Sequence, residues 1–278
     1  MVGKYDVIGK FMNDKLLQQI RQLPPLPESA MQIEAVYQDP NSTFNDMVKI
    51  LEKDPLLTAD ILKAANSPLY GFSREIVAIS QAVGLFGMGT VRGFALASIV
   101  KKSFSLDLSS YGITNEQFAQ VSKNQHALAT SWYIKKDPKL LGVLSPAAFL
   151  VEIGKVLISQ YIIQEKQQEA FRDALKNTQD VEASELQVVG STTPEVSATV
   201  FTHWKFEEKL IETIRHCTDP QNASEEVKKA TQSLCVVRTA IPINGVITQE
   251  SIAKAKALVD QFGLDMVSFE EALKNFSA

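Results

Sequence analysis

The sequence is poor in the residues that build several common kinds of functional site. Cysteine occurs only twice, as Cys217 and Cys235, with no C-x-x-C pair. That excludes a disulfide framework and zinc-finger spacing, and it suits a reducing compartment. Histidine is scarce too: His126, His203 and His216 are the whole supply, with no H-x-x-x-H spacing and no His-Asp doublet. A metal-dependent hydrolase needs several imidazoles and carboxylates on one ion, because each donor supplies a lone pair. Taken singly, each histidine reads as a packing or surface residue, although His126 and His216, far apart in sequence, are free to converge in space. No run of Lys and Arg exceeds two residues, and the net charge is −4 with a pI near 5.5. Non-specific nucleic-acid binding rests on cations neutralising phosphates, so this balance weighs against it. Uninterrupted apolar runs such as residues 94–100 fall far short of the roughly 20 residues of a membrane span. Behind Met1-Val2-Gly3-Lys4-Tyr5-Asp6 there is no long apolar stretch, so no secretory signal is expected and the chain reads as cytoplasmic.

What is present is helical. Hydrophobic residues make up 45% of the 278 and charged residues 22%, enough to bury one large core or two ordinary ones. Apolar residues recur at helical spacing, and strand alternation does not appear. A first helix over residues 13–22 ends at Pro24-Pro25-Leu26-Pro27, and a second follows over residues 28–38 with Ile33, Val36 and Tyr37 on one face. Thr43 is an expected N-cap with Asp46 at the third helical position, before an apolar face of Phe44, Met47, Val48 and Leu51. Asp54-Pro55 opens the next helix as a cap followed by proline. Residues 73–102 read as two helices broken near Gly87-Met88-Gly89, and a polar connection over residues 103–112 follows. Beyond it, helices are expected over residues 115–136, from Ser145-Pro146 onward with Phe149, Ile153, Leu157 and Tyr161 on one face, and from Thr193-Pro194 onward with Val196, Val200 and Trp204 buried. Residues 222 onward form a helical tail whose last helix opens at Ser268-Phe269-Glu270-Glu271, a capping-box pattern. The fold class is therefore all-α, a multi-helix bundle.

Three constellations invite a functional reading and do not support it. Gly87-Met88-Gly89-Thr90-Val91-Arg92-Gly93 resembles a phosphate loop, but its glycine spacing is one residue too long and a helix precedes it. A tight turn with close helix packing is the simpler account. Residues 80–99 have the outline of a helix-turn-helix, yet the second helix offers Val91, Phe94, Ala95, Leu96 and Ile99 instead of polar side chains for base edges. Neither cysteine has an elbow or helix-start context for a nucleophile, and the scattered acids define no carboxylate pair.

Several strings become informative together. Leu23-Pro24-Pro25-Leu26-Pro27 is followed by Asp54-Pro55-Leu56-Leu57-Thr58, Ala65-Asn66-Ser67-Pro68-Leu69-Tyr70-Gly71, Ile79-Ser80-Gln81-Ala82-Val83 and Leu85-Phe86-Gly87. In this order and spacing they resemble the HDOD family, the bacterial HD-related output domain, over roughly residues 17–217. The resemblance implies a helical bundle related to HD phosphohydrolases without a working metal site. It places His126 at the first ligand position. Leu150-Val151-Glu152-Ile153-Gly154-Lys155 stands where a His-Asp doublet precedes Ile-Gly-Lys, and Thr193 stands where a further His is common. His216-Cys217 replaces His-His, and Arg238 lies where the last Asp is expected. Too few donors remain for a catalytic divalent metal.

These observations imply residues 1–106 as an N-terminal helical part, residues 107–220 as a degenerate HD-like core, and residues 221–278 as a C-terminal helical extension. The expected function is signal transduction by a non-catalytic module that binds signalling proteins, with a nucleotide messenger as a further ligand. No catalytic residue, metal or cofactor is expected, nor a membrane or nucleic-acid partner. The candidate binding residues are Asn66, Ser67 and Tyr70 at a helix–helix corner, with His126, Glu152 and His216 as a vestigial pocket. For the corner, simple helix capping is the competing reading. For the other three, it is satisfaction of polar needs in the core. The alternative function is a divergent HD-type metal-dependent phosphohydrolase, which requires His126, Glu152 and His216 to converge with a further carboxylate. A DNA-binding regulator is the third and weakest option.

Overall fold

A computed structural model describes residues 12–102 and 106–276. The reading of residues 1–6 and the first part of the polar connection, residues 103–105, lie outside the described residues.

The described residues are helical throughout, with no β-strand among them. Helices α1 (Asp14–Arg21), α2 (Glu28–Gln38), α3 (Phe44–Leu51) and α4 (Pro55–Ala65) open the chain. Their starts are set by local chemistry. Asn13 caps α1 by accepting from Lys15, Thr43 and Asp46 form a reciprocal capping box, and Asp54 accepts from the amides of Leu56 and Leu57 ahead of Pro55. Each such cap is worth about 1 kcal/mol. One expectation fails on α3: Met47 and Leu51 are buried, whereas Phe44 at the helix start is exposed.

Helix α5 (Ile79–Lys102) begins at Ile79, six residues later than the spacing suggested, and is two helices joined at Gly87, whose φ of +79° breaks the regular path. Past that turn the glycines serve packing. A Cβ on Gly89 would lie 2.5 Å from the Cα of Gly142, and one on Gly93 would lie 3.0 Å from the Ser145 hydroxyl. The glycine cluster thus brings α5 against α7 (Leu141–Leu150) at backbone distance. Val91, Arg92, Phe94, Ala95 and Leu96 are all buried, so this face belongs to the core.

Helix α7 sits at the centre, in contact with α5, α6 (Asn115–Tyr133), α12 (Glu208–Arg215) and α13 (Lys228–Ala240). Ser145-Pro146 does not start it; the proline lies inside the helix. Proline lacks the N–H that would bond the carbonyl four residues back, that of Gly142. Arg92 supplies the donor instead, with Nη1 3.2 Å from that oxygen. The Arg92 guanidinium is fully buried, paired with Glu34 through two contacts of 2.6 and 2.8 Å, with Glu207 at 3.2 Å, and stacked 4.1 Å over the Tyr37 ring. One cation therefore ties α2, α5 and the approaches to α7 and α12 together.

A one-turn 3-10 segment, Val151–Ile153, links α7 to α8 (Gly154–Gln164). Then come α9 (Gln168–Thr178), α10 (Val181–Val189) and α11 (Thr193–His203). The cap of α11 is Thr192 and not Thr193, because Glu195 reaches back to the Thr192 amide at 2.8 Å. Likewise α15 (Met266–Leu273) is capped by Asp265, which accepts from the Ser268 amide at 2.9 Å, one turn before the expected start. The tail helices α13, α14 (Gln249–Gln261) and α15 pack on the bundle. Trp132 stacks on Phe269 with centroids 4.7 Å apart and donates its indole N–H to the Asp265 carbonyl. Ile79–Val100 and Leu141–Gln164, taken as continuous segments across their internal turns, are long and apolar enough for a membrane span, unlike the shorter uninterrupted runs, but most of each is buried inside the fold.

Candidate functional site

The corner after α4 is built from Asn66 outward. Its Nδ2 donates to the carbonyls of Leu62 and Ile76, and its Oδ1 accepts from the Ile76 amide at 2.8 Å. Both amide protons and the carbonyl oxygen are thereby used to close the loop of residues 66–76. Ser67 caps a single 3-10 turn, Pro68–Tyr70, and Gly71 ends it at φ +66°. This turn delivers the Tyr70 hydroxyl into the bundle, 2.6 Å from His126 Nδ1.

His126 is fully buried on α6, and its Nε2 lies 2.7 Å from the Ser145 hydroxyl on α7. Phe94 and Phe149 flank the ring with centroids 4.7 and 4.0 Å away. Burial among these rings drives the imidazole pKa well below its ordinary value, and burial likewise raises that of Tyr70. A neutral imidazole donates at one nitrogen and accepts at the other. Tyr70, His126 and Ser145 therefore form one directed hydrogen-bond line across α6.

The neighbouring position on α6 faces elsewhere, since successive helical residues are about 100° apart. Gln125 donates to the Ile241 carbonyl at 3.0 Å and to Glu152 Oε1 at 3.4 Å. Glu152 is buried in the Val151–Ile153 turn and accepts from Arg238 Nε at 2.9 Å, with Lys155 Nζ at 3.4 Å from its other oxygen. Burial opposes its charge, but Arg238 and Lys155 hold the carboxyl down at about 2. Arg238 also pairs with Glu182 at 2.7 Å and approaches the Cys217 sulfur. Lys155 in turn bonds Glu185 and the Thr193 hydroxyl, both at 2.9 Å, and Glu185 takes the Thr193 amide at 2.6 Å and the Tyr111 hydroxyl at 2.8 Å.

The structure thus joins Tyr70 to His126, and it commits His126 and Glu152 to separate sets of partners. Asn66 and Ser67 shape the corner. His216 ends α12 as its C-cap, half-buried, and burial followed by the charge of Arg215 lowers its pKa. His203 lies exposed at the end of α11. Lys155, Glu182 and Glu185 were not singled out from sequence. The only local signal was the Glu152–Lys155 spacing of one helical turn.

The donor set of an HD phosphohydrolase does not fit here. Val151 offers no lone pair, and the carboxylate of Glu152 is neutralised by two fixed cations. Thr193 is spent on Glu185 and Lys155. Among the described residues, no three His, Cys, Asp or Glu side chains group as ligands for a metal ion.

The bundle and this ion-paired centre define an HD-like helical fold whose ligand positions hold other chemistry. The HDOD domain model matches residues 23–220, and the chain belongs to that family. An uncharacterized protein of Treponema pallidum (strain Nichols) is 26% identical over 247 residues, covering 85% of this chain and 45% of its own length. The chain therefore spans about half of that curated relative. A virulence factor of Campylobacter jejuni subsp. jejuni has a solved structure similar to this one, with TM-score 0.59 and 27% identity over 96% of this chain and 98% of that one. A Shewanella amazonensis structure, provisionally described as a phosphohydrolase, superposes with TM-score 0.66 at 22% identity over 94% of each chain, a likeness of fold alone.

Proposed function

We propose that this chain is a non-catalytic regulatory module of signal transduction that acts by binding protein partners, with a nucleotide messenger as a further ligand. The observation that carries the reading is the pair of cations, buried Lys155 and largely covered Arg238, that neutralise Glu152. A divalent ion at the same carboxylate would have to displace Arg238 and meet strong charge repulsion from Lys155.

The corner is the proposed partner surface. Asn66 and Ser67 fix its backbone. The segment after it exposes Phe72 and Val77, the latter 65% accessible, and Leu85 is exposed on the first half of α5. Apolar side chains held on a rigid turn suit a protein interface better than a flexible loop does, because less ordering entropy is lost on docking. His126 backs this corner through Tyr70 and links it by a second hydrogen bond to Ser145 on α7.

The test has two arms. Purified protein incubated with Mg2+, Mn2+ or Co2+ is expected to leave a chromogenic phosphodiester unhydrolysed beyond the buffer rate, and turnover that His126→Ala abolishes would favour a divergent phosphohydrolase. Immobilised protein is expected to retain a specific partner from lysate that Phe72→Ser/Val77→Ser releases while the melting temperature stays unchanged. Equal retention by that variant would remove the corner from the account.

A further inference from the structure

A cavity of about 620 Å³ opens beside the corner, between α4, the second half of α5 and the first turns of α6. Its volume falls within the roughly 300–1,000 Å³ of small-molecule sites. Four rings line it, Tyr70, Phe94, Phe118 and Phe149, and Leu150 and Ile153 add aliphatic surface. Tyr70 meets Phe94 edge to face at 5.9 Å, and Phe94 meets Phe149 at 5.9 Å, so these rings brace one another. Behind them His126 is held neutral by burial, which leaves this wall uncharged.

The polar side chains of the lining are, with one exception, already engaged by the protein. The Tyr70 hydroxyl is held by His126 Nδ1 at 2.6 Å, and Asn66 spends its amide on the carbonyls of Leu62 and Ile76 and the Ile76 amide. Asp60 takes the Lys102 ammonium at 2.9 Å and the Ser98 hydroxyl at 2.6 Å. Ser122 donates to the Phe118 carbonyl, Gln120 donates to Asn124, and Lys123 has a partner of its own. The exception, Lys63, is exposed to water and lies in the field of the same Asp60 carboxylate. A charged ligand entering here would give up its hydration without gaining a counter-charge, and that loss is severe. An uncharged ring system gives up little.

We propose that this cavity binds an uncharged aromatic small molecule, seated against Tyr70, Phe94, Phe118 and Phe149. Burial of its apolar surface supplies the affinity, and ring edges meeting ring faces supply orientation. Selection against ions follows from the engaged lining, since no charge inside the cavity is left to pair with them. The site is separate from the Glu152–Arg238 cluster and does not rest on the partner-binding role of the corner.

Isothermal titration with 2-naphthalenemethanol tests this directly, with 2-naphthoate and 2-naphthylmethylammonium as the anion and cation on the same ring system. The alcohol is expected to bind saturably at one site per chain, and each ion at least about ten-fold more weakly. That ranking is read on the parent chain and needs no variant to fold. Ala97→Trp, which adds an indole to the α5 wall, is expected to abolish binding of the alcohol with the helical circular dichroism retained. Ala119→Trp, on the α6 wall, serves the same purpose should Ala97→Trp fail to fold. Lys63→Gln is expected to leave the affinity for the alcohol unchanged. No saturable binding of the alcohol, equal binding by a folded tryptophan variant, or either ion binding as tightly as the alcohol would overturn the proposal.

Discussion

His126 carries the clearest acid sensitivity in the molecule. Its folded pKa is depressed by burial, so the unfolded chain takes up a proton first as pH falls below about 6.5. The stability it confers is present above that value and is lost as pH drops toward the folded pKa. Urea unfolding at pH 7.5 and pH 5.5 is expected to show lower stability at pH 5.5. Tyr70→Phe, which leaves the imidazole Nδ1 without its partner, is expected to cost about 1–3 kcal/mol at pH 7.5. Retained stability at pH 5.5 would contradict the buried neutral ring. Glu152 acts in a lower window. Its carboxyl is held near 2, so its contribution is present above about 4.5 and lost as pH falls through 2.

Arg238 is the second residue on which much rests. Removing it strands a buried carboxylate with Lys155 as its remaining cation, and breaking such a pair costs about 3–5 kcal/mol. Arg238→Ala is expected to show a loss of that order in chemical denaturation, and Glu152→Gln in the same background is expected to recover a good part of it. A single mutant no less stable than the parent would mean the pair is not formed. That the sequence holds a cation at residue 238 is plain to read. That this cation meets Glu152, 86 residues earlier, depends on helix packing that no local pattern encodes.

At the scale of elements, what could be read from sequence was whatever is decided within one turn. The caps at Asn13, Thr43 and Asp54 are short-range hydrogen bonds, and α1, α3 and α4 begin where those residues place them. The errors fall where a distant group intervenes or two caps compete. Pro146 reads as a helix start, but Arg92 from α5 satisfies the freed Gly142 carbonyl and lets the helix run through. At α15, Asp265 and Ser268 are both capping residues, and Asp265 takes the Ser268 amide. Helices α9, α10 and α12 were not delimited from sequence; α9 is mostly polar, with only Phe171 and Ala174 buried along it.

The tail is an element with a measurable role. It lies beyond residue 220, where the family match ends, yet it supplies Arg238 to Glu152 and Phe269 to Trp132. Ending the chain after residue 220 is expected to lower the thermal midpoint sharply or abolish cooperative unfolding, because it exposes Trp132 and leaves Glu152 short of a counter-charge. An unchanged midpoint would show that α13 to α15 are an accessory to the fold.

For the whole molecule, the central proposal is that Arg238 and Lys155, fixed on Glu152, leave that carboxylate unable to serve a catalytic ion. The bundle is held by two buried ion networks, one around Arg92 between α2 and α5 and one linking Glu152, Arg238, Lys155 and Glu185. The second is the one that bears on chemistry, since its cations screen the carboxylates that a metal would need. The measurement that tests this most directly is elemental mass spectrometry of protein expressed in medium supplemented with Mn2+, Fe2+, Co2+ and Zn2+. The account predicts less than about a tenth of an equivalent of any of them per chain. Close to one or two equivalents, lost in His126→Ala, would contradict it and make phosphohydrolase chemistry the better reading.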